Sequence, residues 1–264
     1  MVDNQAVAQH FEPEERAFVS QATDWLQTVS NEYRLVLTHF LNPRERHILS
    51  ILIGDRTDIK FESFGIFDRA EKERVVIAPE FIEIEQPDFE ETLLQISFPK
   101  KFLELRHKDL LGAFLSAGID RAVFGDILLD KEKGIAQVAV ERRQEFFIEQ
   151  EILQIGKVSA NWQSVSFDQA LIKEDEGEEE FLLVPSLRLD AVIASCFNLS
   201  RTQVKEMIES GFVAVNWSKS LKTNRTIHLH DVISVRKKGR ISLQSLAGHS
   251  KSDKIKAVFQ IIHR

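Results

Sequence analysis

Cationic side chains recur at short spacing in the last third of the sequence. Arg201 and Lys205 stand four positions apart, and a second group of cations lies within Arg236–Arg240. Residues four apart share one face of a helix, so the first pair would present two positive charges to the same side. Guanidinium and ammonium groups held in this way bind phosphate oxygens. The chemistry that this spacing indicates is therefore the binding of phosphate groups.

Charge is distributed unevenly along the chain. The 264 residues carry a formal net charge of −7, from 34 basic and 41 acidic side chains. Residues 185–264 hold 14 Lys and Arg against 5 Asp and Glu, a net of +9, which leaves 20 basic and 36 acidic residues, a net of −16, for residues 1–184. This asymmetry predicts a separate basic module. The acidic run that begins at Lys173 predicts a linker over 173–184.

Two helices and a strand are predicted in the first part of the chain. Apolar residues at helical spacing over 14–33 predict one helix, and Asn42-Pro43 before residues 44–53 provides a cap and a first turn for another. Alternating apolar residues over 59–67 favour a strand or hairpin. Residues 1–75 are therefore predicted to form a helix-rich N-terminal domain.

The segment 76–172 has the pattern strand, helix, strand, strand, helix, strand. The elements are predicted at 92–98, 106–117, 122–130, 135–140, 141–149 and 152–165. This order is typical of the ferredoxin-like, RRM-like βαββαβ fold, so the fold class is α+β and multidomain. Versions that read RNA carry aromatic residues on the central strands, whereas residues 135–140 contain none. The pattern therefore favours a scaffold or protein-contact role for this middle domain.

Two short helices and a small sheet are predicted in residues 185–264. Ser186 can cap a helix that ends near Cys196, and Ser200 begins a second helix with the capping-box sequence Ser200–Gln203. Strands follow at 212–216 and 231–236. On the second helix, Arg201 and Lys205 lie away from the apolar stripe and close to free amide groups that favour phosphate.

These residues resemble, in order and spacing, the alpha-L RNA-binding motif of ribosomal protein S-four. The resemblance is carried by Arg188-Leu189-Asp190, Ser200-Arg201, Val213-Ala214-Val215-Asn216 and Lys238-Gly239-Arg240. It implies an RNA face on the second helix and the strand after it, with Ser200, Arg201, Thr202, Lys205, Asn216 and Lys222. With the neighbouring cations and one aromatic residue, the predicted RNA-binding set also contains Arg188, Trp217, Lys219, Arg236, Lys237, Lys238 and Arg240.

Two positions depart from the motif. Trp217 stands where the motif has the glycine of a turn, and His230 replaces the glycine before Asp231. Only glycine adopts positive φ freely, so Trp217 could alter the turn. Its ring could stack on an unpaired base or simply pack against the domain, and the sequence leaves both readings open.

The order of a helical domain, a ferredoxin-like domain and a basic alpha-L domain resembles the YlmH family of bacterial proteins. That resemblance implies RNA binding without known chemistry and genes near cell-division genes. It also implies action on obstructed large ribosomal subunits during ribosome quality control. The expected partners are ribosomal RNA or transfer RNA on that subunit, and ribosomal or cell-division proteins. The lone Cys196 and the polar N-terminus favour the cytoplasm, and no stretch approaches the roughly 20 apolar residues of a membrane span.

The residues bear on two other classes of function. A pseudouridine synthase or another RNA-modifying enzyme would need a second Arg-Leu-Asp triplet or a glycine-rich cofactor loop, and the sequence contains neither. The histidines have no spacing that would build a metal site with Cys196, so no catalytic residue, metal or cofactor is predicted. A protein-interaction adaptor, in which the acidic part docks on another protein, stays open beside RNA binding.

Overall fold

The computed structural model describes residues 11, 15–99, 105–172, 177–229 and 231–263. The chain divides into two compact units, Met1–Lys173 and Glu174–Arg264. In the part of the chain that is described, no helix combines the length and the apolar character needed to cross a membrane.

The first unit begins with two helices on a three-stranded antiparallel sheet. Its elements are α1 (Arg16–Glu32), β1 (Val36–Leu41), α2 (Pro43–Ile53), β2 (Ile59–Phe64) and β3 (Glu73–Pro79), and the strand order is β1-β3-β2. Asn42 and Glu45 form a reciprocal capping box at the start of α2, and Gly54 ends the helix, so the two predicted helices and the strand are confirmed. β1 was not predicted. The predicted boundary at residue 75 is corrected, because it falls inside β3, which pairs with both other strands.

A four-stranded sheet with two helices follows in the same unit. Its elements are β4 (Glu91–Ser97), α3 (His107–Ser116), β5 (Phe124–Asp130), β6 (Ile135–Glu141), α4 (Glu145–Glu151), β7 (Gln154–Ile155), β8 (Val158–Ser159) and β9 (Gln163–Val165). The order β5-β6-β4-β9, antiparallel throughout, is that of the predicted ferredoxin-like fold. The strand expected at 152–165 is instead a hairpin turning at Gly156 (φ 59°), followed by the short β9.

The two faces of this sheet are both covered. Leu94 and Val138 pack beneath α3 and α4 in one core cluster, whereas Leu93 and Ala139 on the opposite face pack with Phe40 and other side chains of the first sheet region. Gln137, which is 1% exposed, donates to the Gln95 side chain and to the Gln169 carbonyl. The face that RNA-recognition folds use for base stacking is therefore closed by the preceding part of the same unit.

A buried charge network joins the two sheets of the first unit. Glu141, whose side chain is 1% exposed, accepts a hydrogen bond from Arg143 Nε at 2.7 Å, and its Oε1 lies 2.5 Å from His39 Nδ1 and 3.7 Å from Arg74 Nη2. Glu91 is opposite Glu141 in the β4–β6 register and is 4% exposed. Burial raises the pKa of Glu91 to about 8 although the positive charge of Arg74 opposes the shift.

The second unit is a six-stranded antiparallel sheet with two helices on one face. Its elements are β10 (Glu178–Val184), α5 (Leu189–Cys196), α6 (Arg201–Glu209), β11 (Val213–Val215), β12 (Ser218–Lys219), β13 (Val232–Val235), β14 (Gly239–His249) and β15 (Ile255–His263). The strand order is β10-β15-β14-β13-β11-β12. Val192 and Ile208 of the helices share one core with Ile233 and Ile241 of the sheet.

The predicted acidic linker is corrected over most of its length. Residues 178–184 form β10, which pairs with β15 from Glu178 opposite Ile261 to Val184 opposite Ile255. Residues 173–176 lie outside the described part of the chain. Counted over 174–264, the basic residues number 14 and the acidic residues 11, so the net charge of this unit is +3 rather than +9. The cationic character is therefore confined to part of its surface.

The buried Glu91 generates a prediction about stability and pH. Because its pKa is raised to about 8 from an ordinary 4.5, the folded protein holds a proton that the unfolded chain releases, and stability falls as pH rises through that interval. Glu91→Gln should therefore increase the free energy of unfolding at pH 7.5 by up to about 4 kcal/mol, since about three pKa units separate 4.5 from this pH and each unit is worth about 1.4 kcal/mol. Urea titrations of the full chain at pH 5, 6.5 and 8 measure the effect.

The same change at the exposed neighbour Glu90 is the control for this measurement. The increase in the free energy of unfolding that Glu91→Gln produces should shrink toward pH 4.5, and Glu90→Gln should produce no such increase. A difference between Glu91→Gln and the wild type that does not vary with pH would contradict the assignment.

Candidate nucleic-acid interface

Two arginines share one carboxylate at the start of the helical pair. Arg188, and not the predicted Ser186, occupies the N-cap position of α5, and its side chain makes no capping hydrogen bond. It donates instead from Nε and Nη2 to the two oxygens of Asp190, each at 3.1 Å, and Arg201 Nη1 donates to Asp190 Oδ2 at 2.6 Å. The Asp190 side chain is 12% exposed, whereas the Arg188 and Arg201 side chains are 47% and 49% exposed. A single carboxylate therefore fixes two half-exposed guanidinium groups that come from successive helices.

The electrostatics of this cluster favour the charged forms of Asp190 and Arg188. Burial acts to raise the pKa of Asp190, but hydrogen bonds from Arg188 and the positive charges of Arg201 and Arg188 hold that pKa below its ordinary value. The hydrogen bond to Asp190 raises the pKa of Arg188. A guanidinium group has five N–H donors, and these contacts use two from Arg188 and one from Arg201. Each arginine can therefore offer further donors to a phosphate.

Predicted residues on α6 have different roles. Ser200 accepts from Gln203 N at 3.2 Å, and Gln203 Oε1 accepts from Ser200 N at 3.0 Å, so the predicted capping box is confirmed and the serine hydroxyl serves the helix. Thr202 and Lys205 are exposed, and Lys205 Nζ lies 3.7 Å from the exposed Glu209 carboxylate. Lys205 therefore extends the cationic surface that Arg201 begins.

The loop after β12 brings two further cations toward the same place. Leu189 N donates to Arg225 O at 2.8 Å and Asp190 N donates to Thr223 O at 3.1 Å, so this loop lies against the first turn of α5. Lys222, a predicted site residue, lies at the start of the loop and is exposed. Arg225 was not predicted, because only the backbone contacts of the folded chain place it beside Asp190.

Asn216 and Trp217 form the two-residue turn between β11 and β12. Their φ angles are 49° and 64°, in the left-handed region that Asn-Gly turns normally occupy, so the turn survives the replacement of glycine by Trp217. A residue with a Cβ atom costs about 1–2 kcal/mol in this conformation. Asn216 Nδ2 donates to Asp231 at 2.7 Å, and its Oδ1 accepts from Val232 N at 2.8 Å, so the asparagine side chain anchors the turn.

In the basic group 236–240, residues 236–238 form the turn between β13 and β14, and Gly239 and Arg240 begin β14. Lys237 has φ 64° and Gly239 has φ 139°, and a Cβ atom at Gly239 would lie 1.8 Å from the carbonyl oxygen of Ile262. Arg236, Lys237 and Lys238 are exposed, and the Arg236 guanidinium lies 5.2 Å from the centre of the Phe212 ring. Glycine is therefore required at 239 to hold these cations in a tight turn.

The predicted residues fall into two groups on opposite sides of the sheet. Along β14 the side chains alternate, so Ile241 packs beneath the helices and Arg240 faces the open side. The Arg240 guanidinium lies 6.0 Å from the centre of the Trp217 ring. Arg188, Arg201 and Lys205 belong to the helical side. His230, the second departure from the motif, lies outside the described residues.

The nucleophilic and metal-ligating side chains of the described residues form no comparable cluster. Cys196 is buried in the core of the second unit, where burial and then the negative charge of Glu180 raise the pKa of its thiol to about 12. Within the described ranges, no three of His, Cys, Asp and Glu are placed to hold a metal ion.

Comparison with known proteins gives matches along most of the chain. Three family models match, described as "YlmH, N-terminal" over residues 14–82, "Putative RNA-binding domain in YlmH" over 85–169 and "S4 domain" over 187–233. A protein of Bacillus subtilis (strain 168), named Ribosome-associated protein quality control protein P2, is 35% identical over 254 residues, which cover 96% of this chain and 98% of that protein. A solved structure, Cell division protein ylmH from Streptococcus pneumoniae, has 30% identity and a TM-score of 0.53, and covers 62% of this chain and 98% of that chain.

The shared carboxylate leads to a prediction for Asp190→Asn. A long side chain that is immobilised on binding costs about 0.5–1.5 kcal/mol of conformational entropy, and a side chain that is already held in place avoids this cost. Asp190→Asn should release both arginines and therefore weaken RNA binding roughly tenfold. Overall charge acts in the opposite direction, because the variant loses one negative charge and long-range attraction to RNA would increase. Fluorescence anisotropy with a labelled structured RNA at fixed salt measures the dissociation constant.

Asp253→Asn is the matched control, because Asp253 is an exposed carboxylate in the turn between β14 and β15. It changes the charge of the same unit without touching an arginine, so its affinity should equal or slightly exceed that of the wild type. Tighter binding by Asp190→Asn would mean that the carboxylate competes with RNA for the arginines.

Proposed function

This chain belongs to the YlmH family, and from that premise we propose that it is a non-enzymatic RNA-binding protein whose second unit holds ribosomal RNA or transfer RNA on the large ribosomal subunit. The resemblance read from the basic motif and from the domain order is confirmed by the family matches and by the 35% identical relative. The observation that carries the proposal is the pair Arg188 and Arg201, fixed on Asp190 inside the segment that matches the S4 domain.

The geometry of that pair suits a structured RNA. Phosphate groups of a folded RNA lie at defined spacings, and guanidinium groups fixed by a common carboxylate present donors at a defined spacing as well. Lys205 on the helix and Lys222 and Arg225 in the adjoining loop add flexible charges around this fixed pair. The helical side therefore combines two positioned cations with others that can adapt.

The cellular role is inferred from the relatives. The Bacillus subtilis relative is named for ribosome-associated protein quality control, and the Streptococcus pneumoniae structure is named as a cell division protein. We extend the first role to this chain, which would place it in the cytoplasm with ribosomes, and we regard a link to cell division as the secondary proposal. Arginine stays protonated at any physiological pH, so the side chains at the centre of the interface hold anions and do not transfer protons.

A protein-contact role is the second candidate, for the first unit. Residues 1–173 hold 20 basic and 30 acidic residues, a net of −10, and its ferredoxin-like sheet is covered on both faces. Phe81 and Phe146 are each 74% exposed on this unit, and exposed aromatic residues are enriched at protein interfaces. An acidic surface with exposed aromatics fits a basic protein better than it fits RNA.

Removal of two cations from the helical side tests the proposed RNA contact. Arg201→Ala/Lys205→Ala should weaken RNA binding at least tenfold. The slope of log K against log salt concentration is negative, and its magnitude should fall by about one to two units, because each lost phosphate contact removes nearly one unit. Binding titrations between 50 and 200 mM salt measure both quantities.

Lys251→Ala/Lys254→Ala removes two charges from the turn between β14 and β15 and serves as the control. This control should lose much less affinity than the variant on α6. Equal losses in the two variants would show that net charge alone governs binding, and undiminished affinity of Arg201→Ala/Lys205→Ala would locate the RNA elsewhere.

Truncation distinguishes RNA binding from the adaptor role. Removing Glu174–Arg264 should abolish co-sedimentation with large ribosomal subunits, whereas a fragment of residues 174–264 should still bind RNA. A fragment of residues 185–264 should fold poorly, because β15 loses its seven-residue pairing with β10. Ribosome association that survives in residues 1–173 at full strength would favour the adaptor role for the first unit.

A further inference from the structure

The open side of the second sheet carries an aromatic ring and cations that the helical side does not use. We propose that Trp217, together with Arg240 and Lys219, forms a second RNA contact that holds one unpaired base. This inference rests on the proposed RNA binding and specifies it: the RNA should present a bulged or looped nucleotide to the open side of the sheet, in addition to the phosphates that the helical side binds.

The first step concerns the turn that displays Trp217. Both turn residues have positive φ, and Trp217 occupies the position where glycine would avoid strain. Asn216 is fixed on Asp231 and Val232, so the turn is anchored to β13 and the indole projects from a rigid base. Strained non-glycine residues cluster at functional sites, because structure elsewhere must maintain them. A partly exposed aromatic in such a position suits a role in contact with a ligand.

The second step concerns the surface beside the ring. The pairing register places Lys219, Ala214, Ser234 and Arg240 in one row across β12, β11, β13 and β14. Their neighbours Val213, Ile233 and Ile241 point into the core, so this row lies on the opposite face. The two small side chains, Ala214 and Ser234, therefore lie between the two cations Lys219 and Arg240. They leave a shallow platform over β11 and β13.

The third step concerns what would occupy that platform. Arg240 lies over the Trp217 ring at 6.0 Å, an arrangement in which a planar base can join the stack while the cation meets its phosphate. The residues of β11, β12, β13 and β14, all of them described, include no acidic side chain, so a polyanion meets no carboxylate on these strands. A paired base has both faces covered by its neighbours in the helix, whereas an unpaired base is free to stack. The platform therefore favours an unpaired RNA base over a duplex.

Two RNAs that differ by one nucleotide test the inference. The first is a perfect duplex of two strands, and the second is the same duplex with a single bulged 2-aminopurine, whose fluorescence is quenched by stacking. The wild type should bind the bulged RNA roughly tenfold more tightly than the perfect one and should quench the probe, since stacking of one base contributes about that factor. Trp217→Gly should bind both RNAs with the affinity that the wild type has for the perfect duplex, and it should leave the probe bright.

Variants of the same chain separate stacking from folding. Trp217→Gly relieves the strained φ, so its melting temperature should equal or exceed that of the wild type. Trp217→Phe keeps the ring and should keep the preference. Phe181→Leu removes a 57% exposed ring from β10 at the far edge of the same sheet and should change nothing. If Trp217→Gly melts at a lower temperature than the wild type, Trp217→Leu and Trp217→Phe are compared instead, because both keep the strained backbone. A preference for the bulged RNA that persists in Trp217→Phe and is lost in Trp217→Leu shows that the aromatic ring is responsible.

The possible failures of the two proposals are distinguishable. If the wild type binds both RNAs equally and Arg201→Ala/Lys205→Ala weakens both, RNA binding stands and the base contact is overturned. If Trp217→Gly keeps the preference for the bulged RNA, the contact is likewise overturned. If the wild type binds neither duplex nor any ribosomal or transfer RNA, the proposed function fails and the base contact fails with it.

Discussion

Two guanidinium groups held on one carboxylate form the contact on which the cationic surface of the second unit depends. Arg188 and Arg201 begin successive helices, and without Asp190 between them their charges would repel at this range. Because Asp190 lies in the first turn of α5, the spacing of the pair is set by the packing of α5 against α6, through core residues such as Val192 and Val204. The binding surface is thus a consequence of helix packing. It does not require a large net charge, which is consistent with a value of only +3 for the unit.

The order of the strands explains how an acidic strand and a cationic surface coexist in one small unit. β10, with Glu178–Glu180, lies at one edge of the sheet, and β12, with Lys219, lies at the other. Five steps of about 4.8 Å separate these edges by roughly 24 Å. That distance is about three times the Debye length of roughly 8 Å at physiological salt, so the carboxylates scarcely weaken the field around Lys219, whereas Arg240 on β14 lies only two strands from β10. The acidic strand therefore completes the hydrogen bonding of β15 without cancelling the attraction for a polyanion.

Local signals allowed much of the fold to be predicted, and contacts between distant residues account for what was missed. The caps at Asn42 and Ser200 involve residues three positions apart, so the sequence contains the whole interaction. β10 was read as a linker, because its acidic residues mask an alternating pattern and its partner β15 lies some 70 positions later. In the candidate site the residue types pointed to phosphate, but their roles depended on the fold. Asn216 was expected to face RNA, yet both polar atoms of its side chain hold the turn against β13, about 15 positions away.

The two sheets show why a fold alone does not determine a binding surface. The first has the strand order of an RNA-recognition fold, but Phe40 and Phe67 from the preceding region pack on the face that would read bases. Any RNA contact of residues 85–169 must then come from helices or loops. The second sheet does not have the strand order of an RNA-recognition fold, yet small residues such as Ala214 and Ser234 lie on its open face beside Trp217. What distinguishes the sheets is the size of the side chains above them: large apolar groups exclude a base, and small ones leave room for it.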